Sequence, residues 1–241
     1  MDKVSVIIPT YNRFKYVLNS INSVRNQTYK NIEIIVINDC STEIEYYNYD
    51  FGDDIIYITL PENSKKIFGY ACAGYVRNKG IEISTGIYVA FLDDDDIWLP
   101  NKIELQINAM KETDCKMSCS DSLCGVGMYN QNINYTKMLT EKYVDTFKEV
   151  YRIEGNNMLK DGYPRIFNKE LITVRNLCIA SSVIMEKSIL NIINNMKCLK
   201  NGREDYDCWL RALDYTNIVF INEACMYYDL GHGDGQNYEE G

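Results

Sequence analysis

Apolar residues fall along this chain in short β-branched runs separated by stretches of helical spacing. Residues 4–8 form an apolar run closed by Pro9, and their length and branching predict a buried strand. Phe14, Val17, Leu18, Ile21 and Val24 then recur at helical intervals, with Asn12 as the expected N-cap. Residues 32–37 read as a second strand. Strand, helix and strand within about 35 residues make a βαβ unit, which implies parallel strands and a right-handed crossover. Residues 55–60 and 87–92 predict strands three and four. Between them, Ala73, Val76, Gly80 and Ile83 suggest a helix that glycine interrupts. Pro100 opens another helix, with Ile103, Ile107 and Met110 on one face. This alternation over residues 1–112 indicates an open α/β sheet.

The pattern then weakens. Residues 115–120 read as one more strand, while 121–170 are polar, tyrosine-rich and aperiodic and predict no defined element. An apolar segment at 177–185 leads into a helical stretch ending near Met196. Tyr206, Trp209, Leu210 and Leu213 lie at i, i+3, i+4 and i+7, the spacing of an amphipathic helix over 205–214. Residues 218–221 and 225–228 read as two short strands, and the tail after Leu230 is glycine-rich and acidic.

At 241 residues the chain suits one large domain or two small ones. The net charge of −9 argues against non-specific nucleic-acid binding, which needs a basic surface. It leaves room for an anionic substrate, because a bound cation inverts the local field. Nine cysteines without a Cys-x-x-Cys pair, and a single histidine, make a Cys/His zinc site implausible. No signal peptide and no transmembrane segment are expected, since the apolar runs are too short. Free thiols in a reduced, cytoplasmic compartment follow, with peripheral contact at a membrane face left open.

The chemistry concentrates at residues 93–96, where Asp93, Asp94, Asp95 and Asp96 follow directly on the fourth strand. Like charges this close repel by roughly 1 kcal/mol or more per pair. A hard divalent cation carrying an anionic ligand would justify them, and oxygen ligands suit magnesium, manganese or calcium. A solvated acidic turn is the alternative. Open α/β sheets bind ligands at the carboxyl ends of their strands. Thr10, Tyr11 and Asn12 follow strand one, and Asn38 and Asp39 follow strand two, so three polar clusters share that edge. No glycine-rich phosphate loop is present, so the metal and basic side chains such as Arg77 and Lys79 would have to neutralise phosphates. The same two residues also read as exposed helix charges. Asp205 opens the amphipathic helix, where it serves as an N-cap or, ionised, as a general base. His232 lies in a glycine-rich segment and reads either as a metal or phosphate ligand or as a surface residue.

Taken in order, these motifs resemble family 2 glycosyltransferases: VSVIIPTYNR at 4–13, QTYKNIEIIVINDCST at 27–42, RNKGIEISTGIYVAFLDDDDIW at 77–98 and REDYDCWLR at 203–211. The resemblance implies a GT-A fold: a Rossmann-like open central sheet flanked by helices, with an acceptor-side C-terminal half. Residues 1–112 would bind the nucleotide sugar and 113–241 the acceptor, within a single domain. It also implies a UDP-sugar donor, an acceptor hydroxyl on a glycan or other molecule, Mn2+ or Mg2+, and inversion at the anomeric carbon. Asp39 would bond the nucleobase, with Thr10 and Tyr11 nearby, and Arg77 would contact the nucleotide. Asp95 would bind the metal directly, and Asp93 or Asp94 would hold the ribose or metal waters, with Asp93 a further metal position. His232 would be an added metal ligand. Asp205 would be the catalytic base, with Glu204 beside it. Cys40 departs from the family where glycine is common, and Asn38 where aspartate is frequent. Two other readings compete: a catalytically silent nucleotide-sugar-binding or scaffold module, and a sugar nucleotidyltransferase. The latter needs a glycine-rich N-terminal loop, which PTYNR at 9–13 lacks.

Overall fold

A computed structural model describes residues 1–231. From the amino end the elements run β1 (Val4–Thr10), α1 (Phe14–Arg25), β2 (Ile32–Asn38), α2 (Glu45–Asn48), β3 (Ile55–Thr59), α3 (Ser64–Phe68), α4 (Ala73–Ile83) and β4 (Tyr88–Phe91). Next come β5 (Ile97–Trp98), α5 (Lys102–Thr113), β6 (Met117–Gly125), β7 (Thr136–Lys137), a π-helical turn at Met138–Lys142, α6 (Val144–Ile153) and β8 (Ile166–Phe167). The chain continues with α7 (Lys169–Val174), a 3₁₀ turn at Ala180–Ser182, β9 (Ile184–Glu186), α8 (Lys187–Ile192), α9 (Glu204–Ala212) and β10 (Ile218–Asp229).

One sheet holds the molecule together, in the order β3-β2-β1-β4-β9-β6-β10-β5. Its first four members are parallel, with Val4 opposite both Ile32 and Tyr88. Strand β9 is antiparallel to β4 and β6, while β10 runs parallel to β6. The βαβ unit and the open α/β sheet expected from the sequence are therefore present. Period-2 alternation divides each central strand between two cores. Val6 and Ile8 pack with Val17 and Ile21 of α1 and with Ile103 and Ile107 of α5. Ile7 packs on the other face with Ile81 of α4 and Trp209 of α9. Burial on both faces explains why these strands are apolar almost throughout.

Several local expectations need correction. Asn12 does not cap α1: it adopts φ 51°, and its side-chain oxygen accepts from the N–H of Thr42 at 2.7 Å, tying the end of β1 to the loop after β2. The two short strands expected near the C-terminus are one strand, β10, whose register against β6 shifts on both sides of Ala224. Asp205 is the second residue of α9 and not its cap, a position held by Arg203. Residues 121–170, unassigned in the sequence, carry the end of β6, β7, the π-helical turn, α6 and β8. The turn is held by buried Asp121, which accepts from the N–H groups of Leu139 at 2.9 Å and Thr140 at 3.1 Å. Gly80 does not interrupt α4; it lets the helix approach β1. All nine cysteines are free thiols. Among the described residues no helix is long and apolar enough to cross a membrane.

Candidate functional site

Strand order reverses at β1, which has β2 on one side and β4 on the other. A crevice at the carboxyl ends of the strands is expected there. The structure has a cavity of about 840 Å³ at this place, lined by Arg13, Arg77, Asp93, Asp94 and Asp95 on one side. Glu204 and Asp205 from α9, and Tyr228 and Asp229 from the end of β10, complete its inner wall.

The four aspartates have different surroundings. Asp93 takes a hydrogen bond from Arg77, and its backbone N–H donates to the Ser181 hydroxyl at 2.9 Å. Arg13 donates from one nitrogen to Asp94 at 3.1 Å and to Asp95 at 2.7 Å. Burial pushes the Asp95 carboxyl up to about 8, and repulsion from Asp94 adds to this against the pull of Arg13. Burial likewise raises Asp94. Asp96 is wholly buried, and its Oδ1 accepts from the N–H of Asp229 at 3.0 Å. It fastens the acidic loop to β10, so its role is structural, and burial holds it far above the ordinary carboxylate range.

Helix α4 supplies Arg77, which is 6% exposed. Its second terminal nitrogen lies 3.8 Å from Glu204, which also accepts from the N–H of Gly74 at 3.2 Å. Burial works against the Arg77 charge, but Asp93 and Glu204 outweigh it and hold the pKa above its usual value. Asp205 accepts from the N–H of Tyr206 at 2.6 Å. Burial raises its carboxyl to about 6, against the opposing charge of Arg77. The structure thus brings together Arg77, Asp93, Asp94, Asp95, Glu204 and Asp205, which are distant in sequence.

Other candidates lie elsewhere. Asp39 is buried and accepts from the Ser64 N–H at 2.8 Å, the Ser64 hydroxyl at 2.6 Å and the Asn63 amide at 3.2 Å. Burial raises it to about 6 despite those bonds. Both its oxygens anchor the start of α3. The Thr10 hydroxyl pairs with that of Tyr46 at 2.5 Å. Neither Thr10, Tyr11 nor Asp39 is part of the cavity wall. Lys79 pairs with Glu82 at 3.0 Å on the surface of α4, outside the cavity. His232 lies outside the described residues. Among the described residues no three histidine, cysteine, aspartate or glutamate side chains are grouped to hold a metal. Arg13 and Asp229 escaped the sequence reading. Arg13 stands three residues beyond β1, at the edge already marked by polar clusters, and that position was the available signal.

Comparison with known proteins bears on the family and the fold. The model for the family "Glycosyl transferase family 2" matches residues 5–174. The chain is 30% identical over 231 residues to the UDP-Glc:alpha-D-GlcNAc-diphosphoundecaprenol beta-1,3-glucosyltransferase WfgD of Escherichia coli, covering 94% of this chain and 77% of that protein. It is 47% identical over 114 residues to an uncharacterized glycosyltransferase of Rickettsia bellii, covering 46% of this chain but only 15% of that protein. In fold it is similar to S. aureus TarS 1–349 in complex with UDP-GlcNAc, with TM-score 0.65 and 19% identity over 98% of this chain and 61% of that one. The mixed sheet with flanking helices is the GT-A arrangement.

Proposed function

Because the chain belongs to glycosyl transferase family 2, we propose that its cavity moves a sugar from a nucleotide-sugar donor to an acceptor hydroxyl with inversion. UDP is the nucleotide this reading favours, in keeping with the names of the WfgD and TarS relatives. The observation that carries the proposal is that Asp205, Asp93 and Asp95 line one cavity together with Arg77, which pairs with Asp93 and pulls on the Asp205 charge.

Asp205 takes the proton of the acceptor hydroxyl. The acceptor oxygen forms its bond to the anomeric carbon as the bond from that carbon to the diphosphate oxygen breaks. A single displacement with a base and no covalent intermediate inverts configuration, as in inverting glycosidases. Arg77 positions Asp93 and Glu204 and moderates the Asp205 pKa. Residues 1–112 form the donor half of the single domain and 113–241 the acceptor half. Asp39 bonds the nucleobase at the carboxyl end of β2, with Thr10 and Tyr11 nearby.

A divalent cation fits this donor set, because Asp93 and Asp95 offer only hard oxygen atoms, and the burial and Asp94 repulsion that raise the Asp95 carboxyl are what a bound cation would offset. Asp95, with Asp93, would hold Mn2+ or Mg2+, and the chemistry such an ion would supply is positive charge for a diphosphate leaving group. Two carboxylates do not make a closed cage, so the diphosphate would supply further oxygens. A silent nucleotide-sugar-binding module is the second reading, and the half-buried Asp205 carboxyl, raised in a cavity beside Arg77, favours the enzyme over it.

The test is thermal denaturation with UDP and manganese. UDP with manganese should raise the melting temperature, and Asp95→Ala should abolish the rise. No shift with any nucleoside diphosphate would sink the reading.

A further inference from the structure

The cavity lining changes sign between its buried and its exposed residues. Asp94 and Glu204 are almost fully shielded, whereas Arg175, Arg203 and Asn201 line it from exposed positions, with Asn176 half-buried. Arg13 and Arg77 are both paired with the acid run. Among the described residues, Arg175 and Arg203 enter no ion pair, although the chain as a whole carries a net charge of −9. Arg175 follows α7, and its guanidinium lies over the Phe147 ring at 4.7 Å, which fixes the plane and leaves its N–H edges to bond elsewhere. Arg203 immediately precedes α9. The two helix ends are tied by the Tyr206 hydroxyl, which lies 2.9 Å from the Ile172 carbonyl and 3.0 Å from that of Thr173. Both arginines therefore stand on a braced part of the cavity lining, where the end of α7 meets the start of α9.

We propose that Arg175 and Arg203 form an anion subsite for the acceptor, and that the acceptor carries a phosphate or diphosphate close to its reacting hydroxyl. This rests on the reading of Asp205 as the base. The donor diphosphate belongs at the acid run, beside Arg77. The acceptor hydroxyl must touch Asp205, so a group lying beyond Asp205 toward Arg203 belongs to the acceptor. Two planar forks match the two charges of a phosphoryl group better than the one charge of a carboxylate.

Calorimetric titration of the full chain, with and without saturating UDP, tests this with glucose 1-phosphate, methyl glucoside and farnesyl diphosphate. Glucose 1-phosphate should bind about tenfold tighter than methyl glucoside, the scale of one charge-assisted bond. The Arg175→Gln/Arg203→Gln variant should reduce that preference to about twofold or less and leave UDP affinity within about twofold. Should loss of the Phe147 contact unfold that variant, Arg203→Gln alone must still cut the preference roughly threefold. Farnesyl diphosphate binding tighter than the sugar phosphate, with the same arginine dependence, places the phosphoryl group on a lipid carrier. Weaker binding places it on a soluble sugar or polymer. No phosphate preference in the unmodified chain, a preference that survives the variants, or UDP affinity falling in step overturns the proposal. Failure of the base reading shows separately, as transfer activity that Asp205→Asn leaves intact.

Discussion

Arg77 on α4 donates a hydrogen bond to Asp93 at the start of the acid run, which locks the helix to the loop after β4. The guanidinium and Glu204 are almost fully shielded, whereas Asp93 is 29% exposed, so it is at Glu204 that water cannot replace the counter-charge. Removing one partner of a shielded ion pair leaves an uncompensated charge. Arg77→Met should therefore lower unfolding stability by roughly 3 kcal/mol in urea denaturation, with Arg77→Lys recovering part of the loss. A loss below about 0.5 kcal/mol, typical of an exposed pair, would show that the contact is not made.

Asp205 gives the site a pH signature. Its carboxyl is raised from 3.8 to about 6, chiefly by burial. The base must be ionised, so transfer should fall about tenfold per pH unit below that value. The stability sign is opposite: a raised carboxyl favours the folded state when protonated, and that contribution is lost as pH rises from about 4 to about 6. Activity and this part of stability therefore run in opposite directions over the same window. Asp205→Asn should reduce transfer at least about 100-fold while retaining UDP binding. Arg77→Met should move the acid limb upward, because Arg77 pulls the Asp205 pKa down. A pH–rate profile of both proteins checks these outcomes.

How far the sequence discloses all this depends on how local the signal is. Strands β1, β2 and β4 are readable because burial on both faces demands largely apolar runs. Strand β10 reads as two pieces because Asn222 and Glu223 are exposed where the pairing with β6 shifts. The π-helical turn is invisible because its anchor, Asp121, precedes it by 18 and 19 positions and shows no periodicity. The acid run is readable from charge density alone. Arg13 is not, because its partners Asp94 and Asp95 lie 81 and 82 positions away and only the pairing of β1 with β4 unites them. Asp39 shows a similar split. Its place at a strand end is visible, but its engagement with Ser64 arises only when α3 folds back over β2.

Gly80 is a close-packing position. A Cβ there would come within 2.5 Å of Cγ2 of Ile7, in the middle of β1. Both flanks are core, so the contact cannot be relieved by a move into solvent. Alanine has the better helix propensity by about 1 kcal/mol, yet overpacking by a methyl typically costs about 1–3 kcal/mol. Gly80→Ala should therefore destabilise the protein despite its propensity, as a lowered urea midpoint. The paired change Gly80→Ala/Ile7→Val should regain little of the loss, because it removes only Cδ1, the farthest of the three carbons at 3.2 Å, and leaves Cγ2 at 2.5 Å.

Cys40 tests the turn between Asp39 and Ser41. It stands where glycine is common in the family, and its φ is 58°. That left-handed conformation costs an L-residue roughly 1–2 kcal/mol, whereas glycine adopts it freely. Glycine gives back about 0.5–1 kcal/mol through the extra freedom of the unfolded chain. Cys40→Gly should therefore leave stability unchanged or raise it by up to about 1 kcal/mol. Cys40→Val should lower it, because a β-branched side chain tolerates positive φ least. Thermal denaturation of the two variants should separate them by more than about 1 kcal/mol, with glycine the more stable. The reverse order would mean that the Cys40 side chain contributes packing that outweighs the backbone strain at this edge of the site.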